Sequence, residues 1–145
     1  MDIIEVIREH WSWVGIEPHD VVGENDFGNL IIQDIHGKYW RLCPEDVYCE
    51  MVAHNKEELD ALSTNQDFLH DWYMQELVDK SVQEYGQLES GRKFYLVTPG
   101  PLGGAYNVSN IKTAPLIEII SLSGDIGHKI VGLPEGSKVE LKVVE

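Results

Sequence analysis

The sequence predicts an α+β fold, a single domain over residues 1–145 in which three or four helices pack on an antiparallel or mixed sheet. Three observations lead to this class. Apolar residues recur at helical spacing near both ends of the chain, two β-favouring runs flank a short turn at residues 34–37, and a strand–helix–strand pattern closes the sequence. A domain of 145 residues buries about 68–70% of its unfolded surface and needs no disulfide to hold it.

The chain begins with a predicted helix. Asp2 followed by Glu5 three residues later is typical of a capped helix start. Apolar residues then recur at helical spacing, which predicts a short amphipathic helix over residues 3–14. We expect Gly15 to end this helix. Residues 17–28 are rich in Gly, Asp and Asn, and we expect them to form a loop.

A β-hairpin and a third strand are predicted next. Two β-favouring runs, NLIIQ and KYWRL, flank a four-residue turn that starts at Asp34 and ends at Gly37, an order that suits a type I turn. Pro44 is expected to break the second strand. Residues 47–54 alternate well enough to predict a third strand. Its predicted buried face consists of Val47, Cys49, Met51 and Ala53.

Two helices are predicted in the middle of the chain. Asn55 is a typical helix cap and predicts a short helix over residues 56–62. Thr64, with an acidic residue three positions later, predicts a longer helix over residues 65–85. At 100° per residue, five apolar side chains of this longer helix share one face, which predicts its core stripe. They are Leu69, Tyr73, Met74, Leu77 and Val78.

The opposite face of the longer helix is acidic and carries two large aromatic residues. Phe68 and Trp72 lie off the predicted core stripe, beside four polar side chains. These are Asp71, Gln75, Glu76 and Asp79. We interpret this face as a candidate contact surface for a basic partner. The alternative is that both rings belong to a second packing surface, covered by the N-terminal helix or by a loop.

The last third of the chain predicts a strand, a loop, a helix and a final strand. The strand covers residues 93–98 and the final strand covers residues 138–144. The loop, PGPLGGAY at residues 99–106, lacks the glycine order and the lysine of a phosphate-binding loop. We therefore interpret its glycines as a requirement of backbone geometry.

The helix between these strands is predicted over residues 115–131, with Pro115 at its start. Its buried face is predicted to consist of Leu116, Ile119, Ile120, Ile126 and Ile130. Ser123 and Gly127 lie in the middle of this face. Because both side chains are small, we expect them to let the helix approach a sheet closely.

The charge of the chain is concentrated in one region. The formal net charge is −14, and residues 45–89 alone carry 12 acidic residues against two basic ones, Lys56 and Lys80. Such a field repels nucleic acid and anionic lipid and attracts basic partners. No apolar run approaches the length of a membrane span, and the N-terminus has no signal-peptide pattern. We expect a cytoplasmic protein that contacts neither nucleic acid nor membrane.

No catalytic site, metal site or cofactor site is predicted. Four possible metal ligands are spaced more loosely than the pairs of structural zinc sites, namely His36, Cys43, Cys49 and His54. The two cysteines do not form a secreted disulfide framework, and we expect them to be small buried residues. No histidine lies in a recognised catalytic motif; His70, for example, is expected to lie on the surface between acidic neighbours. A small hydrolase is therefore the weakest of the functions we considered.

Five stretches of the sequence carry a resemblance to a known family. They are FGNL (27–30), YWRLCPED (39–46), YGQLESGRKFYLVTPGPLGG (85–104), VSNI (108–111) and SGDIGHKIVGLPEGSKVELKV (123–143). Together they are similar to the C-terminal domain of type VI secretion immunity proteins, the neutralisers of a secreted DNase effector. The similarity covers roughly residues 25–143, preceded by the short N-terminal helix. The shared residues are glycines suited to turns and a proline suited to the end of a strand.

The resemblance implies an α+β, non-enzymatic cytoplasmic protein that binds a cognate toxin. We expect the toxin to be encoded by the adjacent gene and the protein to be a monomer or small oligomer. Because a nuclease must hold a polyanion, its cleft is basic, and an acidic protein could occupy that cleft. The predicted contact residues are Glu57, Glu58, Asp60, Phe68, Asp71, Trp72, Gln75 and Asp79. The other interpretation is an acidic cytosolic adaptor or regulator of a basic protein unrelated to toxins.

Overall fold

The computed structural model describes residues 2–133 and confirms the predicted α+β class. The described residues form five α-helices. They are α1 (Ile3–Trp11), α2 (Lys56–Leu62), α3 (Gln66–Tyr73), α4 (Gln75–Tyr85) and α5 (Leu116–Val131). Six strands accompany them. They are β1 (Pro18–Glu24), β2 (Leu30–Asp34), β3 (Tyr39–Cys43), β4 (Tyr48–Ala53), β5 (Arg92–Leu96) and β6 (Ile111–Pro115). The predicted strand over residues 138–144 lies outside the described residues.

The strands form two antiparallel sheets. Strands β1 to β4 follow one another in chain order as a meander, and β5 pairs with β6. The predicted loop over residues 17–28 is wrong in its first part, because β1 pairs with β2 there. The register of this pair shifts twice, and Val22 is 46% exposed. An irregular edge strand that contains a proline and a glycine has no clean apolar alternation, which explains why the sequence pattern missed it.

The β2–β3 hairpin is confirmed, and Asp34 organises its turn. The Asp34 carboxylate accepts hydrogen bonds from the backbone N–H groups of His36 (2.8 Å) and Lys38 (2.9 Å). The Gly37 N–H donates to the Asp34 carbonyl at 3.1 Å, and Gly37 has φ +80°, a region that favours glycine. The turn therefore fixes the hairpin register through one aspartate and one glycine.

The predicted buried face of β4 is only partly right. Cys49 and Ala53 are buried, but Met51 is 41% exposed. Tyr39 pairs with Ala53 while its neighbour Trp40 pairs with Met51, so the register shifts by one residue between them. This shift reverses the alternation along the strand.

The predicted helix over residues 65–85 is two helices. Met74 has φ +46° and ψ 42°, a left-handed conformation that ends α3, and α4 starts at the next residue. The break changes which side chains face inward. Tyr73 is 56% exposed, whereas Trp72 is 7% exposed. The predicted core stripe is therefore wrong at Tyr73 and holds at Val78, which is buried.

Helix α5 packs on α1 and on the turn that follows it. Trp11 Nε1 donates to the Ile120 carbonyl at 3.0 Å, and Trp13 Nε1 donates to the Gly124 carbonyl at 3.1 Å. A Cβ atom on Gly124 would lie 2.5 Å from the His10 carbonyl oxygen, and one on Gly127 would lie 2.7 Å from the Trp13 ring. The small residues of α5 thus allow close approach mainly to the N-terminal helical segment, rather than to a sheet as predicted.

Three buried clusters hold these layers together. The largest joins α1 and α5 to the four-stranded sheet around Trp11, Leu30 and Leu42. A second packs Phe27 against Phe94, with the ring centroids 5.7 Å apart and the rings tilted by 42°, and joins β5 and β6 to α4. The third lies under α2 and α3 on the four-stranded sheet. The acidic helices are therefore fixed to the sheet by apolar contacts.

Candidate functional site

Helices α2, α3 and α4 follow one another in the sequence, and their carboxylates are exposed to solvent. We call these exposed carboxylates the acidic helical surface. They belong to Glu57, Glu58, Asp60, Asp67, Asp71, Glu76, Asp79 and Glu84. Both lysines of this region are already paired within their own helices, Lys56 with Asp60 and Lys80 with Glu76. Exposed pairs of this kind contribute little to stability, and the surface keeps its negative character.

The carboxylates predicted to contact a partner lie on this surface, but they form separate groups. Glu58 accepts hydrogen bonds from the N–H and the ring Nδ1 of His54, at 2.8 and 2.9 Å. Gln75 Nε2 donates to Asp79 at 2.8 Å on α4. No hydrogen bond or ion pair within residues 2–133 joins the carboxylates of α2 to those of α3 and α4. A partner would therefore contact the carboxylates of α2 separately from those of α3 and α4.

The predicted placement of the two aromatic residues on an outer face is wrong. Trp72 is buried and Phe68 is half-buried, and the two rings stack with centroids 6.1 Å apart. They pack in the third cluster with Ile31, Tyr39 and Ala53 of the sheet. The alternative of a second packing surface is correct, although the sheet covers the rings and not the N-terminal helix. Trp72 is therefore part of the core and offers little area to a partner.

Arg41, which the sequence analysis did not single out, lies beneath these rings. Its guanidinium carbon is 5.3 Å from the Trp72 ring centroid and 5.9 Å from that of Phe68. Its Nη1 donates to the Asp71 carboxylate at 2.5 Å. Burial favours the neutral form of Arg41, yet the Asp71 carboxylate raises the pKa of the guanidinium, so it stays charged. A buried cation thus holds one exposed carboxylate of the surface in place.

A buried polar network continues from Arg41 into the core. Arg41 Nε donates to Asn29 Oδ1 at 3.1 Å, and Asn29 Nδ2 donates to both oxygens of the Glu45 carboxylate, at 3.0 and 2.8 Å. Burial raises the pKa of Glu45 above its ordinary value, although the hydrogen bonds from Cys43 and Asn29 oppose that shift. Asn25 Nδ2 donates to the Trp72 carbonyl at 2.7 Å and fixes the end of α3.

The motifs that carry the family resemblance converge on this network. Asn29 comes from FGNL, and Arg41 and Glu45 come from YWRLCPED. The Gly100 N–H of PGPLGG donates to the Glu45 carbonyl at 2.8 Å, and a Cβ on Gly100 would clash with the Asp46 carboxylate. The glycine loop therefore docks its backbone on the corner that follows β3, as its interpretation as backbone geometry predicted.

An open groove of about 870 Å³ lies beside the acidic helical surface. One side is the turn between α3 and α4, from His70 to Lys80, and the base is the end of β3 with the start of β4. The far side is the segment 106–109. Asp71 and Gln75, both predicted contact residues, line its near side. The groove is thus a concave feature next to the predicted site.

Both cysteines of the described chain are free and buried. Burial raises the pKa of the Cys43 thiol well above its ordinary range and that of Cys49 to about 12, so neither is a thiolate at neutral pH. Among residues 2–133, no three His, Cys, Asp or Glu side chains lie together in an arrangement that could hold a metal ion. None of the helices in this part of the chain has the length and apolar character to cross a membrane.

Comparison with known protein families gives a match to part of the chain. Residues 53–127 match the model of a family described as T6SS immunity protein Tdi1, C-terminal. The match covers just over half of the chain. The chain belongs to this family. Membership supports a role in type VI secretion immunity and agrees with the resemblance found in the sequence. No curated protein matches the chain.

The matched residues of this immunity-family chain include α2, α3, α4 and the far side of the groove. They exclude the stretches FGNL and YWRLCPED, so the extent predicted for the family-like region, residues 25–143, stays a prediction beyond the match. Sequence reasoning missed Asn29, Arg41 and Glu45. One signal was available: Arg41 stands between apolar residues in a strand, where a charge is seldom buried unless it is paired.

Proposed function

We propose that the chain is an immunity protein that neutralises a cognate effector toxin by covering a basic, nuclease-like active cleft with its acidic helical surface. Membership of the immunity family is the observation that carries this proposal, and the exposed carboxylates of α2–α4 supply the mechanism. Protection comes from binding and involves no turnover of a substrate. It takes place in the cytoplasm, and the toxin is encoded beside the immunity gene.

The charge distribution suits such a partner. A nuclease cleft carries cationic groups that hold phosphates, and the acidic helical surface presents eight carboxylates while its two lysines are paired. Complementary potentials of this kind accelerate encounter, up to about 10⁸–10⁹ M⁻¹s⁻¹ at low salt. Fast association protects the cell because the toxin meets its inhibitor before it meets DNA.

The eight predicted contact residues take different parts in this proposal. The polar ones, Glu57, Glu58, Asp60, Asp71, Gln75 and Asp79, face the partner. Phe68 and Trp72 instead anchor the surface to the sheet, since their rings pack inward on Arg41. A surface held by a packed cluster is already in shape before it binds, which lowers the entropic cost of association.

Co-expression with the neighbouring toxin gene tests the role. We expect wild-type protein to restore growth and to co-purify with the toxin in a fixed stoichiometry. The charge mechanism is tested with Glu57→Lys, compared with Glu118→Lys. Both glutamates are exposed and lie in the first turn of a helix, so both changes have the same effect on the helix dipole.

We expect Glu57→Lys to slow association and weaken the salt dependence of its rate, and Asp79→Lys to add to the loss. Glu118→Lys on α5 is expected to bind as the wild type does. Equal behaviour of Glu57→Lys and Glu118→Lys would remove the acidic helical surface from the mechanism. Failure of the wild type to bind or protect would reject the toxin role and favour an adaptor of another basic partner.

A further inference from the structure

The groove beside the acidic helical surface joins parts of the chain that are distant in sequence. The turn at Met74 separates α3 from α4 and brings the start of α4 to its near side. The segment 106–109 forms the opposite side, and the Tyr85 hydroxyl donates to the Val108 carbonyl at 2.9 Å. Both sides are therefore held in position before any partner arrives, and a volume of about 870 Å³ is ample for side chains of a docking segment.

The lining of the groove combines apolar surface with negative charge. Met74, Leu77 and Val108 supply apolar surface. Three carboxylates, those of Asp46, Asp71 and Glu76, line the same space. The Asp71 and Glu76 side chains are 69% and 87% exposed, so both remain available to a second cation.

The cations of the lining are already engaged. Arg41 is buried and bonded to Asp71 and Asn29, and Lys80 lies 3.4 Å from Glu76 in an exposed pair. His70 also lines the groove. The three carboxylates of Asp46, Asp71 and Glu76 outnumber the two permanent cations, so the groove favours a positively charged occupant.

Two tyrosines give the groove aromatic walls. Burial, and to a smaller extent the nearby Cys43, raises the pKa of Tyr48. Burial, and to a smaller extent a hydrogen bond to Asp46, raises the pKa of Tyr106. Both side chains therefore remain neutral phenols. A guanidinium group stacks on aromatic rings and pairs with a carboxylate in a bidentate fork, whereas an ammonium group is a compact, strongly hydrated charge. Carboxylates and aromatic rings together therefore suit arginine better than lysine.

We infer that this groove receives an arginine side chain on an exposed basic segment of the effector protein. The inference rests on the proposed function and deepens it, because it assigns the anchor of the complex to the groove and leaves long-range attraction to the outer carboxylates. The guanidinium lies between Asp71 and Glu76 and packs against Tyr106, and the apolar part of its stem covers Leu77 and Val108.

Ser109 allows a test that does not touch the outer carboxylates. It is exposed, it lines the far side of the groove, and within residues 2–133 its side chain bonds only to the neighbouring Asn107. Ser109→Arg places a cation of the same chemistry as the occupant inside the groove. Ser90→Arg is the matched control, since Ser90 is an exposed turn residue outside the groove. Ser109→Glu separates the effect of charge from the effect of size.

The experiment measures binding of purified full-length variants to the co-expressed effector at about 0.15 M salt, where exposed charges are screened beyond roughly 8 Å. We expect Ser109→Arg to weaken binding at least tenfold, mainly through faster dissociation, and Ser90→Arg and Ser109→Glu to stay within about threefold of wild type. Urea unfolding of each variant verifies that the fold is intact.

Three results would overturn the inference. Wild-type affinity in Ser109→Arg, with Glu57→Lys still weakened, would reject the groove and leave the proposed function standing. An equal loss in Ser109→Arg and Ser109→Glu would show that the occupant is not cationic. Absence of any complex with the wild type would reject the proposed function, and the groove inference with it.

Discussion

Arg41 and Asp71 form an ion pair that crosses from the interior to the surface. The Nη1–Oδ2 distance is 2.5 Å, and the two side chains are 7% and 69% exposed. Arg41 belongs to β3 and Asp71 to α3, so this contact ties the acidic helical surface to the main sheet. The same guanidinium donates to Asn29 and lies under two aromatic rings. One buried cation therefore positions a surface whose overall charge is negative.

Replacement of Arg41 by methionine is predicted to lower stability by about 2–4 kcal/mol, because Asn29 Oδ1 loses its donor and the Asp71 carboxylate loses its buried partner. Arg8→Met is the control, since Arg8 is exposed on α1. Urea unfolding followed by tryptophan fluorescence measures both free energies. An Arg41→Met loss as small as that of Arg8→Met would show that the network is not a source of stability.

Neighbouring aromatic residues on α3 are predicted to respond in opposite ways. Trp72→Ala is expected to cost about 3–5 kcal/mol, because the ring is buried against the sheet, where it lies over Arg41. Tyr73→Ala is expected to change the free energy of unfolding by less than about 0.5 kcal/mol, since Tyr73 is 56% exposed. Thermal unfolding followed by far-UV circular dichroism checks both variants. The reverse order would restore the surface role that the sequence pattern suggested for Trp72.

The error at these two residues has a specific cause. A period of 100° per residue places Tyr73 inside only if the helix runs unbroken from residue 65 to residue 85. Met74 adopts a left-handed conformation, which interrupts the helical spacing of the side chains. The sequence does not indicate this break, because methionine is a good helix former. Each half is still amphipathic on its own. The sequence could therefore predict that helix lies here and that it is acidic, but not which aromatic ring faces inward.

Most of the remaining fold was predictable for physical reasons. The hairpin around Asp34 and the cap at Asn55 depend on local hydrogen bonds within a few residues, and both appear as predicted. Strand β6 was missed because its residues lead directly into α5 and carry no alternation. The network of Asn29, Arg41 and Glu45 joins positions up to 16 residues apart, so only the folded chain brings it together.

The close approach of α5 to α1 is predicted to make Gly124 intolerant of any side chain. A Cβ there would lie 2.5 Å from the His10 carbonyl oxygen, which is backbone and cannot move aside cheaply. Gly124→Ala is expected to destabilise by about 1–3 kcal/mol, even though alanine is the better helix former. Gly132→Ala is the control, because the nearest atom to its Cβ is 3.8 Å away. Equal melting temperatures for the two variants would contradict the packing.

Glu45 is predicted to make stability fall as pH rises. Burial raises the pKa of Glu45 in the folded chain above its ordinary value of 4.5, so the folded state binds this proton more tightly than the unfolded state. The contribution to folding is then complete below pH 4.5 and is lost as pH rises through the folded value. Glutamine has no proton to lose, and its amide oxygen still accepts a hydrogen bond from Asn29. Glu45→Gln is therefore expected to gain stability relative to wild type across this window, and the difference is expected to stay constant above it.

Asp34 is predicted to make stability change with pH in the opposite direction. Burial raises its pKa, but the hydrogen bonds from Trp40, Lys38 and His36 outweigh burial and lower the pKa below 3.8. The wild type should be more stable than Asp34→Asn above pH 3.8, and this advantage should disappear as the pH falls. Urea unfolding in a pH series measures both differences, and a Glu45→Gln difference that does not change with pH would show that the buried carboxylate titrates normally.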